Sequence, residues 1–164
     1  MSELRNVAFA GHHLILFSYN HFPTFQIVME KDWWVEESAE YEYQARADFV
    51  EAMRERTKKL VLRHIKLYQA LPSNEEARII GKQLLRSATS TGANYRASCR
   101  ARSKAEFFSK LSITIEEADE SLFWLEILEE AGIVEEKKLV SLKAETFEIL
   151  KILSKARSST RSNT

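Results

Sequence analysis

Six cations between residues 78 and 104 are spaced in a way that suits a polyanion. On a helical wheel, Arg78, Lys82, Arg86, Arg96, Arg100 and Lys104 fall within about 80° of one another. At ~1.5 Å per residue, one helix carrying all six would extend them over about 39 Å. A phosphate backbone rewards such a line, because each phosphate neutralised releases condensed counterions. Residues 78–110 hold eight basic residues and one acid, whereas a face that serves only solubility mixes the two signs. The same side chains also fit two plainer roles, a solvated face or one paired with acids of a neighbouring helix. Arg86 is the member best placed for pairing, with Glu116 or Glu120 as its partner.

Catalytic and metal chemistry finds less to work with. A carboxylate-bridged metal site in a helical bundle needs Glu-x-x-His on two helices and two further acids. Glu116, Glu117, Asp119 and Glu120 supply acids, but none has a histidine three residues on. His64 stands alone on an apolar stripe, where a hydrogen-bonded core histidine is the simpler reading. His12, His13 and His21 lack companion ligands. Cys99, the single cysteine, has no histidine nearby in sequence and lies toward a buried face, so it makes a poor nucleophile. No glycine-rich phosphate loop or Gly-x-Ser-x-Gly elbow occurs. The expectation is a protein without catalytic residues, metal or cofactor.

The elements that must carry these residues are helices. Only four glycines and two prolines occur in 164 residues, too little punctuation for a sandwich or barrel. Apolar residues recur at helical spacing in four segments. The first, about Asp48 to Ala70, places Met53, Thr57, Leu60, His64, Leu67 and Leu71 on one face, widened by Val50, Val61, Ile65 and Tyr68. Pro72 ends it, and Ser73 with Glu76 has capping-box spacing for the next helix. That second helix, about Asn74 to Arg100, would bury Ala77, Ile80, Leu84, Ala88, Thr91, Tyr95 and Cys99. Gly81, Ala88 and Gly92 beside this stripe suggest close helix approach. A third helix starts near Ser103, stops at Gly132 and buries Phe107, Leu111, Ile115, Ala118, Leu122 and Leu125. A fourth, about Glu135 to Ala156, buries Leu139, Leu142, Phe147, Leu150 and Leu153.

Short connections between four amphipathic helices predict an all-α, antiparallel up-down-up-down four-helix bundle over residues 46–157. Residues 158–164 read as a disordered polar tail. Residues 1–45 show no helical period; Asn20-His21-Phe22-Pro23 reads as a turn between strand-like runs. They read as an extension outside the bundle, poorly ordered or translated from a start upstream of Met29 or Met53. No apolar run is long enough to span a membrane, and no secretory signal is evident, so the expected location is the cytoplasm.

The zero net charge conceals blocks of opposite sign. Residues 111–136 hold nine acids and no base, next to the basic run before them. Opposite its core stripe, the third helix also carries Ile113, Phe123, Trp124 and Ile127. A helix apolar on two sides needs two partners, either both neighbours in the bundle or one neighbour and a second subunit.

The run from Gln83 to Ala97, with its Arg86-Ser87-Ala88-Thr89-Ser90-Thr91-Gly92-Ala93-Asn94 core, strongly resembles a bacterial family of four-helix-bundle proteins, the 23S rRNA intervening-sequence proteins. Leu71-Pro72, residues 107–111 and residues 117–126 carry the likeness further, over about 53–155. Some members of that family are encoded inside insertions in large-subunit ribosomal RNA genes. Its relatives include the basic, pentameric accessory protein of diversity-generating retroelements, which is associated with nucleic acid and a reverse transcriptase. The resemblance implies a homo-oligomer, a pentamer, with no catalytic residues. The sequence thus leads to an oligomeric RNA- or DNA-binding bundle, with a rival reading as a scaffold whose basic face meets an acidic protein.

Overall fold

The computed structural model describes the backbone of residues 31–161 and the side chains of residues 39–159. Four helices follow in order: α1 (Lys31–Gln69), α2 (Glu75–Ser98), α3 (Lys104–Glu130) and α4 (Glu136–Arg161). The chain divides into two units, Met1–Ser38 and Ala39–Thr164, and the bundle belongs to the second. The turn expected at Asn20–Pro23 and its flanking strand-like runs lie outside the described residues.

Each helix runs antiparallel to the next. Thr57 and Tyr68 of α1 lie beside Gly92 and Gly81 of α2, in reversed order. Ser87 and Ser121 place their hydroxyls 3.0 Å apart across α2 and α3. Lys143 reaches Glu129 at 2.8 Å at one end of the α3–α4 seam, and Arg157 stacks over Phe108 at the other. Arg56 and Arg63 of α1 meet Glu145 and Ser141 of α4, which closes the ring of helices. This is the up-down-up-down bundle that short loops favour.

The core contains Met53, Leu60, Leu84, Leu111, Leu125, Leu139, Ile149 and Leu153. Thr57, Ser87, Thr91, Thr114, Ser121 and Thr146 are buried with them, and each hydroxyl donates to a carbonyl three or four residues back. That local bond removes the cost of burying the hydroxyl, so small polar residues can fill core positions. Two glycines permit the close α1–α2 approach. A Cβ on Gly92 would sit 2.8 Å from Val61 Cγ2, and one on Gly81 2.5 Å from Leu71 Cδ1.

Several expected boundaries shift. Helix α1 begins at Lys31 rather than near Asp48, so residues 31–45 are helical where no helical period is evident. All of residues 39–49 are exposed, and a helix that buries no face leaves no apolar stripe in the sequence. Asn74, not Ser73, caps α2, accepting from the Ala77 N–H at 3.1 Å. Helix α2 stops at Ser98, two residues short of Arg100. Ser103 caps α3 as expected, but Glu106 reaches back to the Arg102 N–H rather than to Ser103. Gly132 has φ 68° and closes α3: the N–H of Ile133 bonds Leu128 O at 3.0 Å and that of Gly132 bonds Glu129 O at 2.9 Å. In α4, Phe147 is half-exposed under Lys151 and Ile149 takes the buried place. The same helix continues to Arg161, so residues 158–161, expected in the frayed tail, are helical.

Candidate nucleic-acid interface

The six cations divide into three environments. Arg78, Lys82, Arg86 and Arg96 lie on α2, with Arg78 and Arg96 separated by ~27 Å of helix. Arg100 lies in the turn after α2, and Lys104 opens the antiparallel helix α3. The single 39 Å line expected from the wheel is therefore a shorter stripe that turns a corner at one end of the bundle. The wheel overextends because Cys99, with its N–H bonded to Tyr95 O, is already the C-cap residue. Arg102, absent from the six, joins Arg100 and Lys104 at this corner and pairs with Glu106 at 3.2 Å.

Charge pairing separates the six further. Arg78 bonds Glu75 on its own helix, an exposed pair of the kind that contributes little. Arg86 crosses to α3, where it bonds Glu120 and stands 3.6 Å from Glu117. Lys82, Arg96, Arg100 and Lys104 are exposed and form no ion pair with another described residue. The paired role considered for the stripe thus holds for Arg86, through Glu120 and Glu117 rather than Glu116.

Around Arg86, hydrogen bonding and burial shift two carboxyls in opposite directions. The Trp124 indole N–H donates to Glu120 at 3.0 Å and, with Arg86, holds that carboxyl below the usual range. Burial pushes Glu117 the other way, and Arg86 only partly opposes it. The Glu117 oxygen facing Arg86 has no hydrogen-bond partner. Arg86, Glu120 and Trp124 thus form a cross-helix strut above the Ser87–Ser121 contact.

The second face of α3 is partly absorbed by the bundle. The α3 core positions are Leu111, Thr114, Ala118, Ser121, Leu125 and Leu128. Trp124 flanks that stripe, and its indole packs against the core, so it does not face away from the bundle as the wheel suggests. Ile113 and Ile127 are half-buried. Phe123 is 48% exposed, with its ring edge-on to Trp124 at 4.9 Å between centroids.

Beside the stripe, α1 and α2 enclose an open groove of about 600 Å³. Ile65 and Leu85 line it with Tyr68 and Gln69, and Lys82 and Arg86 border it. The apolar stripe of α1 includes Ile65 and Tyr68 in sequence; in the structure both are half-buried and line the groove at the α1–α2 seam. A second cavity, about 350 Å³, lies by the α2–α3 turn, lined mainly by apolar side chains and by Cys99, whose thiol pKa is raised by burial.

His64 is fully buried; its Nδ1 lies 2.9 Å from Leu60 O and its Nε2 has no partner. Burial lowers its pKa to about 4, so it is neutral at pH 7. Among the described residues, no group of three or more histidine, cysteine or carboxylate side chains could hold a metal ion, and no helix is long and apolar enough to cross a membrane.

Comparison with known proteins agrees with this architecture. No curated protein matches the chain. A crystal structure from Bacteroides thetaiotaomicron, described as a protein of unknown function from the S23 ribosomal protein family, is 31% identical. It superposes with a TM-score of 0.63 over 66% of this chain and 97% of that one. The profile of the 23S rRNA-intervening sequence proteins matches residues 51–155, which contain the bundle from the core residue Met53 to Leu153. The chain belongs to the 23S rRNA-intervening sequence protein family.

Proposed function

We propose that this bundle is a non-enzymatic module that binds RNA or DNA through the α2 stripe and the α2–α3 corner. The observation that carries this reading is the contrast among cations. Arg86 is engaged by α3 carboxylates, while Lys82, Arg96, Arg100 and Lys104 are exposed without an ionic partner among the described residues. Exposed cations grouped on one surface form the electrostatic footprint of phosphate binding. Membership in a family described by a 23S rRNA intervening sequence supports the same reading.

The module acts as an oligomer, and Phe123 marks the contact. An aromatic ring left half-exposed beside a packed tryptophan suits a subunit interface better than it suits water. By family resemblance the assembly is a pentamer.

Fluorescence anisotropy with labelled RNA and DNA oligonucleotides at low salt tests the binding claim. Wild-type protein binds, and the double substitution Arg96→Glu with Arg100→Glu abolishes binding while leaving the helical circular-dichroism spectrum intact. A wild-type protein that ignores both polymers refutes the reading. Capture of an acidic protein partner that is lost in the double variant would replace it with the scaffold reading.

A further inference from the structure

We infer that the groove between α1 and α2 receives an unpaired base stacked on Tyr68, so that the protein prefers single-stranded nucleic acid to a duplex. This rests on the phosphate-binding reading above, and it adds a site that charge alone does not predict.

Three observations converge on the groove. First, it combines the components that unpaired nucleotides require. Tyr68 supplies an aromatic face, Ile65 and Leu85 an apolar floor, and Gln69 an amide that can donate and accept at a base edge. Second, the groove opens beside the stripe. Lys82 belongs to both, is exposed, and has no ion pair among the described residues, so a phosphate held there brings its own base to the groove. Arg86, on the same border, is held by Glu120 and Glu117 and shapes the wall.

Third, the ring of Tyr68 is held in place. It packs against the α2 backbone at Gly81, where a Cβ would come 2.9 Å from Cδ2 and 3.2 Å from Cε2. The same residue lines the open groove. A ring already held along one edge loses less freedom when a base stacks on it. A duplex cannot use this feature, because its base faces are covered by their neighbours. It can reach only the cations.

The test compares a labelled single-stranded oligonucleotide with its own duplex, bound to the full chain and followed by anisotropy. The wild type should bind the single strand more tightly. Tyr68→Leu should weaken single-strand binding roughly five- to hundredfold and leave duplex affinity and its salt dependence unchanged. Tyr68→Phe should behave as wild type. Gly81→Ala, which forces the Tyr68 ring out of place, should also erase the preference for the single strand.

A measurement on unmutated protein guards against misfolded variants. A photoactivated 4-thiouracil-substituted oligonucleotide should crosslink to residues 65–69, as read by peptide mass spectrometry. Equal wild-type affinity for both forms, or crosslinks confined to Arg96–Lys104, would overturn this inference while the phosphate-binding reading stands. Absence of salt-dependent binding to either form would overturn both.

Discussion

Arg86 of α2 and Trp124 of α3 share one oxygen of Glu120: the guanidinium and the indole N–H both donate to Oε1. An arginine committed in this way serves the fold before it serves a ligand. Arg86→Ala should therefore lower the melting temperature and leave the salt dependence of nucleic-acid binding unchanged. Thermal melts and binding titrations on the same variant check both halves. A stable variant with a shallower salt slope would return Arg86 to the binding surface.

Arg56 makes the tightest cross-helix ion pair on the opposite seam. Its Nε and one Nη meet the two oxygens of Glu145 at 2.7 and 3.2 Å, and Glu148 lies 2.7 Å from the same Nη. The pair is mostly shielded from water, and its planar fork geometry is the favourable kind. Arg56→Ala should cost about 1–2 kcal/mol in urea denaturation. Lys58→Ala, which removes only the exposed partner of Glu55, should change stability little.

His64 makes stability depend on pH. Its pKa falls from 6.5 to about 4 on folding, chiefly through burial. Between those values the unfolded chain binds a proton that the native chain does not, so stability falls as the pH drops. The loss approaches roughly 3 kcal/mol at the lower end. Above pH 6.5 the contribution is fully present. Glu117, raised by burial, acts with the opposite sign, so the comparison is made between wild type and His64→Leu. The variant should show a flatter urea midpoint between about pH 6.5 and 4.5. Parallel profiles would remove His64 as the cause.

Assembly should depend on Phe123 more than on Trp124. Phe123→Ala should shift the protein to lower mass in light scattering and leave its melting curve nearly unchanged. Trp124→Ala should destabilise the bundle, because it removes a ring that packs on the core and a donor to Glu120. A monomeric wild type would contradict the interface.

Much of the bundle is legible in the sequence because its apolar period is regular, as Met53, Thr57, Leu60 and His64 show. The helical start of α1 is not legible, because residues 39–49 bury nothing and leave no period to detect. In α4 the buried stripe runs Leu139, Leu142, Thr146, Ile149 and Leu153. A core threonine at 146 does not read as apolar, so the sequence points to the neighbouring Phe147, which lies about 200° from Ile149 on the other side of the helix. The cationic stripe is visible as spacing, and so is the option of Arg86 pairing with Glu120, but the end of α2 at Ser98 leaves no mark in the wheel. A wheel places Tyr68 in the core because it cannot show that a groove remains open at the α1–α2 seam.

The salt dependence of binding tests phosphate recognition most directly. Affinity for a duplex oligonucleotide is measured at a series of salt concentrations for wild type, Arg100→Ala and Arg86→Ala. Log affinity should fall linearly with log salt, and Arg100→Ala should be shallower by roughly one unit for each phosphate that the arginine neutralises. The weakening should be similar for unrelated sequences, because interactions with the phosphate backbone carry little sequence information. Arg86→Ala should keep the wild-type slope. A wild-type affinity insensitive to salt, or an Arg100→Ala slope indistinguishable from wild type, would contradict the account.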